Sequence, residues 1–296
     1  MLLTLAVGLV LAAAQQIDTT LTAQRGQRLQ VNAYGGVVTV RAWNQNAVRV
    51  ESAQAGRQRL EIFASATSVS VRTHGRQHGS PELELRISVP VWMPLNLSGV
   101  NTDTRVEGVR APISVETVEG EVNVAGGDGL ISLRSVQGSV ALRGAKGRIS
   151  VNSVNEDVQV TNSSGEITAE TVNGEILLDG VNAASVDAST VNGDITYAGP
   201  IVNGGRYSLS THNGDIVLTV PEGTNANVGV STFNGEFESE FAVPLSGTRK
   251  GKGFNFILGN GSAQVTLESF QGTIQLVRPG GRRDREARER HDEDGG

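Results

Sequence analysis

Ile167-Thr168-Ala169-Glu170-Thr171-Val172-Asn173-Gly174-Glu175-Ile176-Leu177-Leu178 is the fullest statement of a pattern that the chain repeats eight times. The pattern is apolar-x-apolar-x-(Ser/Thr)-apolar-Asn-Gly-(acid)-apolar-x-apolar. Its first apolar residue falls at Leu95, Ile113, Ile131, Ile149, Ile167, Val186, Tyr207 and Val228. The first four steps are 18 residues each, and the later ones are 19, 21 and 21. Two further stretches fit the frame. One is Val265, Leu267, Phe270, Gly272, Ile274 and Leu276; the other is Leu29, Val31, Tyr34, Gly36, Val38 and Val40. A period near 20 residues is the signature of a repeat architecture.

Each copy holds two short period-2 stretches, such as Ile113/Val115 and Val122/Val124. Period 2 means strand, with alternate residues on one face. Two arrangements of these strands compete. If every Asn-Gly were a two-residue hairpin turn, Val172 and Glu175 would pair and Ile176 would face the other way, splitting the apolar set. A three-residue loop with a bulge at Gly174 would restore the parity. If Asn-Gly is instead a solenoid corner, equivalent strands stack about 4.8 Å apart. The constant step and the like-on-like column Ile113, Ile131, Ile149 and Ile167 favour stacking. The expected fold is therefore all-β: a right-handed solenoid or β-helix-like stack of about 18–21-residue repeats with an N-terminal β cap. Few helices are expected after Ala14.

Stacking makes columns of the polar positions too. One column is Thr117, Ser135, Ser153, Thr171, Thr190, Thr211, Thr232 and Ser269. Another is Asn155, Asn173, Asn192, Asn213 and Asn234, whose amides can bond along the column as in Asn ladders. Gly174, Gly193, Gly214 and Gly235 follow, permitting positive φ at the corner. Glu156 stands in for that glycine once, where Asx-turn chemistry at Asn155 or a strained corner is expected. Val118, Val136, Val154, Val172, Val191, His212 and Phe233 form an apolar column that is expected to fold inward and plug the corner.

Composition narrows the setting. A net charge of −6 argues against a nucleic-acid partner, which needs a basic stripe. The absence of Cys excludes disulfides, Cys-based zinc sites, a thiol nucleophile and a lipoprotein anchor. Leu2–Ala14 is an apolar run ending in Ala12-Ala13-Ala14, read as an export signal cleaved after Ala14, although no Lys or Arg precedes it. It is shorter than the ~20 apolar residues a membrane span needs. From Pro279 the chain is charged and almost free of apolar residues, and is expected to be a solvated tail.

The expected division is a signal peptide at 1–14, a β cap with a first repeat-like unit at 15–94 and solenoid repeats at 95–241. An inserted loop at 242–262, a closing β repeat at 263–278 and a disordered charged tail at 279–296 complete it.

The chain resembles a bacterial domain-of-unknown-function family labelled "putative adhesin", exported or envelope-attached β-solenoid proteins. Tyr34-Gly35-Gly36-Val37-Val38-Thr39-Val40-Arg41-Ala42-Trp43, followed by Val48-Arg49-Val50-Glu51, is similar to its opening unit. Ile87-Ser88-Val89-Pro90 and Leu218-Thr219-Val220-Pro221-Glu222-Gly223 are similar to its Val-Pro repeat entries. Leu258-Gly259-Asn260-Gly261, followed by Val265–Leu276, is similar to its closing unit, so the resemblance runs from about Val31 to Val277. It implies an exported solenoid and carries over no catalytic residues, since fold does not imply function.

The chemistry-bearing residues are sparse. Of four histidines, His74 and His78 lie in a Gly-rich polar stretch read as a loop, His212 is read as a packed corner residue, and His291 lies in the tail. No Gly-x-Ser-x-Gly occurs. The acids after the turn glycine, Glu121, Asp157, Glu175, Asp194, Asp215 and Glu236, form a row along one edge, interrupted at Ser139. Neighbours about 5 Å apart could attract Ca²⁺ or a cationic partner, but the calcium-repeat pattern is missing, so a solvated edge is expected. Trp43 and Trp92 could stack on sugars, though Trp92 between Pro90 and Pro94 reads as a capping residue. Arg249-Lys250-Gly251-Lys252 reads as a solvated basic loop.

The expected function is non-catalytic. The chain reads as an exported cell-envelope or surface repeat protein, an adhesin or scaffold binding an unknown envelope polymer or protein along its stacked strands, with no cofactor, no metal and no catalytic residue. The alternatives are a carbohydrate-active β-helix lyase or hydrolase, and a scaffold that self-associates through its solenoid ends.

Overall fold

The computed structural model describes residues 17–52, 59–74, 83–243 and 253–280. The first strands are β1 (Ile17–Thr22), β2 (Arg28–Ala33), β3 (Gly36–Trp43), β4 (Ala47–Ser52), β5 (Arg59–Ala64), β6 (Ser68–His74), β7 (Glu84–Pro90) and β8 (Leu95–Glu107). The body continues with β9 (Ile113–Glu119), β10 (Val122–Ala125), β11 (Asp128–Arg134), β12 (Val140–Arg143), β13 (Lys146–Asn152) and β14 (Val158–Thr161). Then come β15 (Ser164–Glu170), β16 (Ile176–Asp179), β17 (Asn182–Asn192), β18 (Ile195–Ala198), β19 (Arg206–Asn213) and β20 (Ile216–Thr219). The last are β21 (Ala226–Thr232), β22 (Phe237–Ser239), β23 (Phe254–Leu258), β24 (Ala263–Gln271) and β25 (Ile274–Val277).

Each coil gives one strand to each of two sheets. In sheet B the body runs β8–β9–β11–β13–β15–β17–β19, all parallel. In sheet A it runs β8–β10–β12–β14–β16–β18–β20, again parallel. The hairpin alternative is thereby excluded, and the chain is a β-solenoid. Ile113, Ile131, Ile149 and Ile167 stand directly over one another. All are buried, as is the facing column Val122, Val140, Val158 and Ile176, so the inner faces of the two sheets enclose one apolar core.

The ends depart from chain order. The stretch Val265–Val277 was expected to close the stack. Instead β24 and β25 lie between the β19/β20 coil and the β21/β22 coil, which is last. The other end mirrors this. The β2/β3 coil lies against β8, and the later β6/β7 coil lies outside it. Antiparallel strands then cover the coil edges: β4 and β1 on sheet A, β5 on sheet B, and β23 on sheet B at the far end. The expected inserted loop at 242–262 thus contains β23, an edge cap. The remaining sheet A edge, β22, is three residues long. A very short edge strand is one device that resists templated pairing.

Trp92 acts as the expected cap. It packs half-buried against the core, donates Nε1–H to Asn46 Oδ1 at 3.2 Å and lies under the Arg25 guanidinium at 5.2 Å. His74 is not in a loop; it ends β6, opposite Arg59. His78, His291, Arg249–Lys252 and the export signal lie outside the described residues, as does the tail beyond Gly280.

Candidate functional site: the repeat corner

The corner joining sheet B to sheet A carries the columns that recur from repeat to repeat, and their orientation corrects one expectation. The valine column does not plug the corner. Val118 is 46% exposed, Val172 41%, Val191 43% and Phe233 61%. The reason is parity. Alternation from Ile113 and Val115 carries on through the corner to Thr117, leaving Val118 outside. The plug is the hydroxyl column, in which Thr117, Ser135, Ser153, Thr171, Thr190, Thr211 and Ser269 are all buried.

A small hydroxyl suits that place because a backbone carbonyl of the neighbouring coil points at it. Ser135 Oγ donates to Gly120 O at 3.1 Å, Ser153 to Gly138 O at 3.2 Å and Thr190 Oγ1 to Gly174 O at 3.1 Å. Thr211 donates to Gly193 O at 2.9 Å, and Ser269 to Gly214 O at 2.9 Å. Thr232, in the last coil, is half-buried, and its buried Oγ1 has no partner.

The corner glycines serve close approach throughout and positive φ at some positions: Gly120, Gly138, Gly193 and Gly272 have φ of 122°, 153°, 156° and 145°. A Cβ on Gly174 would lie 2.4 Å from Glu156 O, and one on Gly214 would lie 2.0 Å from Gly193 O; neither residue has a left-handed backbone. Glu156, the exception to glycine, is not left-handed either, and its N–H finds Ser153 Oγ at 3.3 Å. Positive φ also occurs at the second corner, after β8, β10, β12, β14 and β16. There Gly108, Gly126, Gly144, Asn162 and Gly180 have φ of 75°, 109°, 70°, 49° and 61°. This column recurs every 18 residues and was visible in the sequence, but it lacks the apolar flank that drew attention to Asn-Gly.

An amide ladder runs from Asn155 to Asn213. Asn173 Nδ2 donates to Asn155 Oδ1 at 3.2 Å, Asn192 to Asn173 at 2.8 Å and Asn213 to Asn192 at 2.8 Å. Gln271 follows Asn213 in register, and Asn234 joins the last coil through its N–H to Phe270 O at 2.9 Å. Asn173 and Asn192 each use one amide N–H and one lone pair in the ladder, which leaves a second of each in their inventory.

The acid row is tied into the backbone. Asp157 Oδ1 accepts the N–H of Glu175 at 2.7 Å, Asp194 that of Asp215 at 2.7 Å and Asp215 that of Thr273 at 2.7 Å. Asp103, absent from the sequence-based row, does the same for Glu121 at 3.0 Å. Glu236 lies in the last coil and is exposed. Among the described residues no three of His, Cys, Asp or Glu gather as a metal site would require.

The outward apolar column ends in rings. His212 stacks on Phe270 with centroids 4.6 Å apart and an interplanar angle of 6°, and Phe270 on Phe233 at 4.9 Å and 4°. The non-sequential coil order creates this triad, because Phe270 enters between two residues that precede it. From Val118 to Phe233 the stripe spans seven coil steps, about 34 Å at strand spacing. Beside it run the amide ladder from Asn155 to Asn213 and, at the same position of the other coils, Glu119, Gln137, Gln271 and Asn234.

No curated protein matches this sequence. Among solved structures, one described as a putative adhesin from Bacteroides fragilis is 12% identical, with 90% of this chain and 98% of that one covered and a TM-score of 0.45. A putative adhesin from Parabacteroides distasonis is 10% identical over 89% and 98%, with a TM-score of 0.39. A putative lipid binding protein from the same species is 9% identical over 88% and 96%, with a TM-score of 0.40. The family model described as Toastrack DUF4097 matches residues 5–277, and with it the repeats, both caps and the corner columns fall within one family: this chain belongs to the Toastrack DUF4097 family.

Proposed function

We propose that this is a non-catalytic, exported surface or envelope protein that binds an extended polymer along the repeat corner. The observation that carries the reading is the outward-facing stripe Val118–Val136–Val154–Val172–Val191–His212–Phe270–Phe233, half-buried at Val136 and Val154 and exposed elsewhere, beside the amide ladder. Exposed apolar surface rimmed by polar groups marks binding sites. An apolar row next to a periodic row of amide N–H and C=O groups matches a glycan chain, whose sugar rings offer both C–H faces and hydroxyls. The ring stack presents edges along its length, while Phe233 at the end leaves one ring face for stacking.

The non-catalytic reading is supported by the use of the acids. Asp157, Asp194 and Asp215 hold backbone N–H groups of the next coil, a fixed structural engagement unlike that of a proton-transfer pair. Export is supported by the apolar Leu2–Ala14 run.

Affinity electrophoresis through gels carrying neutral, amino or uronic linear polysaccharides tests the proposal. At least one neutral or amino polysaccharide is expected to retard the protein, and Phe233→Ser with Phe270→Ser to abolish the retardation. Mobility unchanged in every gel, or equal retardation of the double variant, overturns it.

A further inference from the structure

Six Asn-Gly pairs punctuate the chain, headed by Asn173, Asn192, Asn203, Asn213, Asn234 and Asn260. Each carries a latent reaction. The glycine nitrogen can attack the Cγ of the preceding asparagine, and glycine, lacking a Cβ, hinders that approach least. The glycine N–H and the side-chain amide must be free to meet, so a hydrogen bond to either slows the attack. The fold holds five of the six pairs in this way. Gly174 donates its N–H to Asn192 O at 3.0 Å, Gly193 to Asn213 O at 3.0 Å and Gly214 to Gln271 O at 2.9 Å, each in the next coil. The amides of Asn173, Asn192 and Asn213 are held as well, in the ladder. Gly261 donates to Leu258 O at 3.1 Å, while Asn260 Oδ1 accepts the N–H of Ser262 at 3.1 Å. Asn203 Oδ1 accepts the Ser262 hydroxyl at 2.8 Å, within a turn closed by Gly205 N–H to Val202 O at 3.0 Å.

Asn234 is the exception, and its place in the stack is the reason. Each held corner glycine donates along the stack, to the coil that follows. Gly235 lies in the last coil, which has neighbours on one side only along β24 and β25. The cap strand β23 pairs with Ala226–Val230 and stops short of the corner. Among the described residues neither the Gly235 N–H nor the Asn234 side-chain amide has a hydrogen-bond partner. Asn234 is exposed, and its own N–H meets Phe270 O at 2.9 Å. Even Thr232 Oγ1, 2.5 Å from where a Cβ on Gly235 would lie, is unpaired. In the Glu156 coil the matching hydroxyl, that of Ser153, takes the corner N–H.

We propose that Asn234 is the chain's site of spontaneous deamidation. The Gly235 nitrogen bonds to Asn234 Cγ, the Cγ–Nδ2 bond breaks, and the nitrogen's proton leaves with Nδ2 as ammonia. The product is a five-membered cyclic imide. Water then adds at one of its two carbonyls and opens the ring. Opening at the side-chain carbonyl gives aspartate; opening at the backbone carbonyl gives isoaspartate. The sum is amide plus water to carboxylic acid plus ammonia, with no oxidant or reductant. The new carboxylate stands next to Phe233, at the exposed end of the corner stripe, where Asn234 presents a neutral amide.

Incubation of the full chain in mildly alkaline buffer, followed by peptide mapping that separates aspartate from isoaspartate, tests this. Asn234 is expected to deamidate about tenfold faster, or more, than Asn173, Asn192 and Asn213, which must first release hydrogen bonds that Asn234 does not make. In denaturing urea the six sites should react at similar rates, since the reacting pair is the same. Asn234→Ser, at an exposed position, should remove the fast phase and leave the other sites unchanged. Asn234 reacting no faster than the ladder asparagines overturns the proposal, as does Asn203 or Asn260 reacting first. So does an order of rates that persists in urea, which would make local sequence, and not the fold, the cause.

Discussion

Thr171 Oγ1 donates a 2.9 Å hydrogen bond to the backbone carbonyl of Glu156, in the coil before it. The same bond recurs up the corner and fails at Thr232. Removing a buried donor leaves its acceptor unsatisfied at about 1–3 kcal/mol, whereas removing an already orphaned hydroxyl is neutral or favourable. Thr171→Val should therefore destabilise by about 2 kcal/mol, and Thr232→Val should not. Urea unfolding of the two variants checks the contrast; equal losses would show that the corner bond contributes nothing.

Gly214 and Gly144 are glycine for different reasons, and alanine separates them. Gly214→Ala places a Cβ 2.0 Å from Gly193 O, so two coils must part. Its cost should be about 3 kcal/mol, as for overpacking. Gly144→Ala meets nothing within 4 Å and bears only the left-handed φ of 70°, at about 1 kcal/mol. The order of the two melting temperatures is the readout.

Tyr197 and Tyr207 meet edge-to-face inside the stack at 5.6 Å, and Tyr197 donates to Pro200 O at 3.0 Å. Burial pushes the Tyr197 hydroxyl above its usual range, with Tyr207 adding to the shift. A group whose folded pKa is raised contributes stability that is complete below its unfolded pKa, about 10 for tyrosine, and is lost as pH rises toward the folded value. The protein should lose stability above about pH 10, and Tyr197→Phe should flatten that loss while costing about 1 kcal/mol at neutral pH. Denaturation midpoints between neutral and alkaline pH measure both effects.

At the other end, Arg49 grips Asp18 through two bonds of 2.8 and 2.7 Å, joining β1 to β4. The hydrogen bond from Arg49 is the main cause holding the Asp18 carboxyl below its ordinary range. A depressed carboxyl contributes above its unfolded pKa, about 4, and the contribution fades as pH falls through the lower folded value. Amide exchange in β1 should accelerate, beyond its intrinsic pH dependence, as Asp18 protonates. Arg49→Ala should return the Asp18 carboxyl, followed by carbon NMR, to the ordinary range.

How much of this was legible depends on which forces act locally. The columns headed by Ile113 and Asn155 were readable because stacked coils put like residues together, and the 18-residue step survives in the sequence. The side chain of Val118 was misread because apolar character was weighed over strand parity, which places Thr117 inside and Val118 out. The coil order was not readable at all. Val265 and Val228 fit the same frame equally well, so only tertiary pairing decides that β24 enters before β21. The His212–Phe270–Phe233 stack depends on that order and was hidden with it.

The most direct test of binding along the corner is affinity against oligosaccharide length, measured by calorimetry on the full chain with the polysaccharide that retards it. Affinity should climb with each added sugar until the ligand spans about 34 Å, seven coil steps at strand spacing, and then level off. Affinity that is already complete for a disaccharide, or that survives Phe233→Ser with Phe270→Ser at every length, would contradict it.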